Sequence, residues 1–146
     1  MDLPPGSDEG PGAGSGFLAP PAPSTDDEIS MRALIIEPQI FASFMIEDAL
    51  KDAGYTEVTL ATTEEEALAS AEASPPDLVT AAVKLDRGNG IRAVEKIRSK
   101  CDAAVLFITE RLAEVRAAAP GLTAIRKPFV AADLPPAIAR AQRRQG

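Results

Sequence analysis

The chain has 146 residues, a formal net charge of −7, one cysteine and no histidine. That length holds one domain with a real core and not two ordinary ones, and a chain without histidine has no His-based metal site, Ser-His triad or His general base. The single Cys101 excludes an intramolecular disulfide and reads as a buried, reduced thiol in a cytoplasmic protein.

No apolar run reaches membrane-spanning length, and the N-terminus lacks a basic signal-peptide head, so no membrane role is expected. The charge is uneven. Residues 1–30 carry Asp2, Asp8, Glu9, Asp26, Asp27 and Glu28 with no Lys or Arg, leaving −1 for residues 31–146. The first thirty residues, rich in Pro, Gly, Ser and acid, read as a disordered tail with one apolar island, Phe17-Leu18-Ala19. Residues 31–146 read as the folded domain. It has no basic field to attract nucleic acid.

Ala33–Ile36 is a buried strand ended by Glu37-Pro38. Helix follows over Gln39–Ala53, with Ala42, Ile46, Ala49, Leu50 and Ala53 on one face and Gly54 as the stop. Glu57–Ala61 is a second strand. Thr63 caps a second, alanine-rich helix, with Glu66 completing a capping box, and that helix ends before Pro75-Pro76. Leu78–Val83 is an almost unbroken apolar run, the pattern of a strand buried on both faces. The loop Lys84–Gly90 carries two glycines and leads to a helix over Asn89–Lys100. Ala103–Ile108 is a fourth strand closed by Thr109. A short helix spans Glu110–Ala119, and Leu122–Arg126 is a fifth strand. Lys127-Pro128-Phe129 then leads to a last helix, whose regular part is expected to begin near Pro136, because residues before proline avoid the helical region. Its arginines Arg140, Arg143 and Arg144 suit the negative end of the helix dipole. Five strands alternating with five helices predict an α/β fold. Its core is a doubly wound five-stranded parallel sheet with helices on both faces.

The run PDLVTAAVKLDRGNG at Pro76–Gly90, with Ile108-Thr109 and Arg126-Lys127-Pro128-Phe129, resembles the receiver domain of two-component response regulators, a (βα)5, flavodoxin-like fold. The resemblance covers about Met31 to Arg144. It implies a phospho-acceptor position at Ala82, an acidic pair at Glu37-Pro38, a switch hydroxyl at Thr109, a switch aromatic position at Ala124, and a phosphate-contacting Lys127 followed by Pro128. In the family, three carboxylates hold Mg²⁺ against the phosphoryl oxygens. Here Ala82 and Pro38 remove two of the three, so Mg²⁺ is expected only where the acceptor Asp and the acidic pair are intact. No metal, cofactor or catalytic residue is expected.

Lys84 either enters the site as a second cation or points to solvent. With Glu37 facing Lys127 and Lys84, the pocket carries a net charge of 0 or +1, against −2 in the family pattern. Asp86, four residues past Ala82, is either a replacement carboxylate or a turn-forming residue. Gly88-Asn89-Gly90 is a turn and too weak a signal for a phosphate cradle. Ile40, Phe41, Phe44 and Met45 widen the apolar surface of the first helix. They form either a broad buried face or an exposed patch for a partner helix, the helix receivers commonly turn toward a phosphohistidine-bearing bundle.

The resemblance thus implies a stand-alone receiver-like signalling module of a two-component or phosphorelay system. It would act by protein–protein contact, without catalysis and without aspartyl phosphorylation of its own. Its partner would be a histidine kinase, a phosphotransferase or a downstream regulator, and the chain itself a monomer or weak homodimer. No DNA-binding segment is expected after the last helix. Two other readings stand beside it. One is a phosphorylatable single-domain regulator in which the alanine at position 82 is an introduced change; Pro38 argues against it. The other is a flavodoxin-like electron carrier, for which Glu37-Pro38-Gln39 lacks the hydroxyl- and glycine-rich phosphate loop.

Overall fold

The computed structural model describes residues 31–145. The expectations for residues 1–30 lie outside these. Ten elements alternate along the chain: β1 (Arg32–Ile36), α1 (Ile40–Asp52), β2 (Glu57–Ala61), α2 (Glu64–Ala73), β3 (Leu78–Ala81), α3 (Gly90–Arg98), β4 (Ala104–Thr109), α4 (Leu112–Ala118), β5 (Thr123–Arg126) and α5 (Leu134–Gln145), with a 3-10 turn at Ala131–Asp133. The strands form one sheet in the order β2-β1-β3-β4-β5, every pair parallel. This is the doubly wound arrangement that the alternation predicts.

The central strands are buried at almost every position, Thr80 and Thr109 included, because both of their faces are covered. Val79, Ala81, Val105 and Phe107 face α2, α3 and α4, where Ala67, Val94, Ile97 and Val115 complete one core. Leu78, Leu106 and Ile108 face the other way, onto Ile46 and Leu50 of α1 and Leu134, Ile138 and Ala141 of α5. Strand β2 lies at the sheet edge, and Thr59 and Leu60 are exposed there.

Several boundaries differ from the sequence expectation. The strand expected over Leu78–Val83 ends at Ala81. Ala82 has left the ladder, although its N–H still donates to the Ile36 carbonyl at 2.9 Å. Helix α5 starts at Leu134, two residues before Pro136, with Leu134 itself in the helical region. The prolines fall in its first turn, where their missing N–H groups would have had no helical acceptor. Ala53, expected on the buried face of α1, is its exposed C-cap. Gly54 follows at φ 108°, donating to Lys51 O at 3.1 Å, and Tyr55 N–H reaches Leu50 O at 3.0 Å. That pair of bonds is the Schellman closure, so the glycine stop is where the sequence puts it.

At the capping box of α2, Glu66 N–H donates to Thr63 Oγ1 at 3.0 Å, and the Glu66 carboxylate turns back to the N-terminal backbone, accepting most closely from Thr62 N–H at 2.8 Å, with Thr63 N–H a lesser partner. Cys101 is half-buried in the loop before β4, not fully buried, and its desolvation beside the core raises its pKa. Among the described residues no helix is long and apolar enough to cross a membrane.

Candidate functional site

A parallel sheet brings the carboxyl ends of its strands to one edge, and there ligand sites form. Glu37 follows β1, Ala82 follows β3, Thr109 ends β4 and Lys127 follows β5. Backbone bonds carry the ladders one residue past the strands: Glu37 N–H donates to Ala61 O at 2.9 Å and Lys127 N–H to Thr109 O at 3.0 Å. Three of these four positions, Glu37, Ala82 and Lys127, line a cleft of about 390 Å³ together with Pro38, Lys84, Asp86 and Glu110; Thr109 lies just outside the lining.

The centre of the cleft is an ion pair. Lys127 Nζ lies 2.8 Å from Glu37 Oε1 and 2.9 Å from Oε2. The two side chains are 8% and 1% exposed, so the pair is nearly out of water. Desolvating two charges is costly, and close bidentate geometry is what offsets it. A third group completes the network. Gln39 Oε1 accepts from Lys127 Nζ at 2.7 Å, and Gln39 N–H donates to Glu37 Oε2 at 3.0 Å. An ammonium has only donors, so the amide must present its oxygen to it.

The remaining site positions fall around this pair. Ala82 is buried and presents a methyl group to the cleft. Thr109 is buried, and its hydroxyl accepts Arg111 N–H at 2.8 Å, a local turn at the start of the loop into α4. Ala124 is half-buried beside the first core and sits opposite Phe107 in the ladder. Pro128 is exposed and joined to Lys127 by a cis peptide bond. Lys84 stands exposed on the rim, so of its two readings the structure favours the solvent-facing one. Asp86 is also exposed on the rim, its N–H held by Thr62 O at 3.0 Å. Glu110, which the sequence reading passed over, lines the same cleft. Glu37 and Lys127, the buried charges of the cleft, sum to zero, and the exposed rim adds Lys84, Asp86 and Glu110. The three carboxylates do not converge: among the described residues no group of three or more Asp, Glu or Cys is placed to hold a metal ion. Glu37, the only one of them that is buried, already has both oxygens on Lys127. This donor set does not fit a hard cation that demands a clustered oxygen shell.

The loop over the cleft is tied to α2 through Glu64, another residue with no signal in the sequence pattern. Glu64 Oε1 accepts from Asn89 N–H at 3.1 Å and Arg92 Nε at 3.0 Å, and Oε2 from Lys96 Nζ at 3.1 Å. The Arg92 hydrogen bond comes first among the causes that hold the Glu64 carboxyl at about 2 against an ordinary 4.5, with Asn89 and Lys96 adding to it and burial opposing. Gly88 packs against Glu64 at φ 85°, where a side chain would be strained. Gly90 is needed for a different reason: a Cβ there would run into the Ala82 carbonyl. Asn89 caps α3, accepting Ile91 N–H at 2.7 Å and Arg92 N–H at 3.1 Å.

The apolar residues of α1 divide. Ile40, Phe41 and Phe44 are 59%, 81% and 54% exposed. Met45 is half-buried against the core between α1 and α5. The broad buried face therefore claims only Met45, and the other three form an exposed triad on the helix turns nearest the cleft.

Residues 33–139 match the response regulator receiver domain family. The transcriptional regulatory protein PdtaR of Mycobacterium tuberculosis is 34% identical over 122 residues, covering 81% of this chain and 60% of PdtaR. The chain thus spans 60% of the length of that curated relative. The solution structure of the receiver domain of Erythrobacter litoralis PhyR superposes with a TM-score of 0.69 at 32% identity, over 79% of this chain and 92% of that one. The anti-anti-sigma factor PhyR of Bartonella quintana gives 0.63 at 27% identity, over 80% and 48% of the two chains.

Proposed function

The chain belongs to the response regulator receiver domain family, and from that premise we propose that it is a degenerate receiver, a signalling module that works by protein–protein contact without phosphorylation of its own. The observation that carries this reading is Ala82. It lies at the carboxyl end of β3, faces the cleft and offers no nucleophilic oxygen to a phosphoryl donor. Pro38 supports it, because restoring position 82 alone would still leave an incomplete metal shell. Mg²⁺ and other cofactors have no part in this reading, and the chain is a binding module and not an enzyme.

The contact surface is the exposed triad Ile40, Phe41 and Phe44, three large apolar side chains on one helix end beside the cleft. Its partner is a signalling protein of the same kind of pathway: a histidine kinase, a phosphotransferase or a downstream regulator. That one relative is described as an anti-anti-sigma factor agrees with an output through other proteins.

Incubation with acetyl phosphate and Mg²⁺, followed by intact mass measurement, tests the reading. The expected result is an unchanged mass. A gain of one phosphate that mild alkali removes, as it does from an acyl phosphate, would overturn it.

A further inference from the structure

A second cleft, of about 290 Å³, opens beside the one above Ala82. Ala42 and Met45 line it from α1, and Pro128 and Phe129 line it from the loop after β5. Met45 and Phe129 are half-buried and pack against the core between the sheet and α5. Two charged residues reach this cleft, buried Lys127 and exposed Glu110, and both also line the first one. An ammonium has three donors. Lys127 uses two, on Glu37 Oε2 at 2.9 Å and on Gln39 Oε1 at 2.7 Å. Glu37 Oε1 stands 2.8 Å away as an ion-pair partner but accepts no hydrogen bond. One donor of a side chain that is only 8% exposed is therefore left without a protein acceptor. A buried donor without an acceptor is costly, and a single such donor among apolar walls is the make-up of a small-molecule site.

We propose that this second cleft binds a small uncharged molecule with an apolar body and a carbonyl oxygen, of the lactam or lactone class. The oxygen accepts the third hydrogen bond of Lys127, and the body lies against Met45, Pro128 and Phe129. Charge selects the uncharged class. The Lys127 cation already faces the Glu37 carboxylate within 2.9 Å, and Glu110 stands at the rim. A carboxylate ligand would meet both negative groups and give up its own hydration. An alkylammonium brings donors only and leaves the lysine donor unmatched. A carbonyl oxygen accepts that bond without adding a charge. This rests on the reading above, in which Lys127 serves no phosphoaspartate.

The test is a titration of the isotope-labelled full chain, followed by amide chemical shifts. The probe is ε-caprolactam. Cyclohexanecarboxylate serves as an anion of similar size, and azepane as the same ring without the carbonyl. Caprolactam should shift the amides of Met45, Lys127 and Phe129 saturably, with a midpoint in the millimolar range. Cyclohexanecarboxylate should bind at least about tenfold more weakly, and azepane should give no saturable shift. Glu37→Leu with Lys127→Met removes the donor without leaving a lone buried charge, and should weaken caprolactam at least about tenfold. Phe129→Ala removes apolar contact and should weaken it about three- to tenfold.

Absence of a saturable response to caprolactam in the wild type would overturn the proposal. So would a carboxylate or azepane that binds as tightly as the lactam, or undiminished binding by the double variant. The three-probe comparison uses the wild type alone, so it decides the matter even where a variant fails to fold. Phosphate uptake by the wild type from acetyl phosphate would sink the proposed function, while the titration, run on unmodified protein, decides the cleft by itself.

Discussion

Lys127 and Glu37 are 90 residues apart in the chain, and the ammonium of one lies within 2.9 Å of both carboxylate oxygens of the other. Each is the first residue past its strand, β5 and β1, and the parallel sheet brings both strand ends to the same edge. With Ala82 beneath them and Pro38 beside them, the pair forms a site whose charges satisfy each other.

Breaking that pair from one side should be costly. Lys127→Met leaves a buried carboxylate with no cation, and Glu37→Gln leaves a buried ammonium. Each should lose about 3–5 kcal/mol in urea unfolding. The double variant Glu37→Leu with Lys127→Met should recover most of the loss, because two apolar groups replace the pair and leave no charge uncompensated. A double variant as unstable as the worse single one would show that the pair itself is net stabilising.

Restoring an acceptor should not by itself restore chemistry. Ala82→Asp places one carboxylate beside Glu37, which Lys127 already occupies, so labelling by acetyl phosphate should stay weak and Mg²⁺ affinity low. Ala82→Asp with Pro38→Asp rebuilds a cluster of three carboxylates and should label more fully. Complete labelling of the single variant would show that Pro38 is tolerated, and would favour an introduced alanine at position 82 over a native one.

The Glu64 clamp should appear in the pH dependence of stability. Its carboxyl is held at about 2 in the folded chain against an ordinary 4.5. A depressed folded value stabilises the charged form, so the contribution is complete above pH 4.5 and fades as pH falls toward 2. Glu64→Gln should therefore cost about 1–2 kcal/mol near pH 6, discounted because Arg92 and Lys96 are more than half exposed. The two proteins should converge near pH 2. Hydrogen exchange at Asn89 should quicken in the variant. A constant gap in melting temperature across that range would rule out the linkage.

The glycines of the β3–α3 loop should rank by what surrounds them. Gly90→Ala drives a methyl into the Ala82 carbonyl, and Gly88→Ala adds a side chain against Glu64 at positive φ. Both should destabilise by about 2–3 kcal/mol. Gly121→Ala meets nothing within 4 Å and should change stability by less than about 0.5 kcal/mol. Thermal melts of the three variants check the order.

Local pattern was enough for the architecture. Almost unbroken apolar runs such as Leu78–Val83 read as doubly covered strands, and Gly54 marked the end of α1, because hydrophobic periodicity and the glycine stop are properties of neighbouring residues. The identities at positions 38 and 82 were likewise plain, and so was the order of the segments around them. What the sequence could not supply were contacts between residues far apart. Lys127 also donates to Gln39, Glu64 clamps a loop 25 residues further on, and Glu110 joins the cleft lining. None of these has a spacing signature, since each depends on which strand ends the sheet places side by side. The same holds for the apolar surface of α1. Phe41, Phe44 and Met45 are alike in hydropathy, and only the packing of α5 against the sheet decides that Met45 is covered and the two phenylalanines are not.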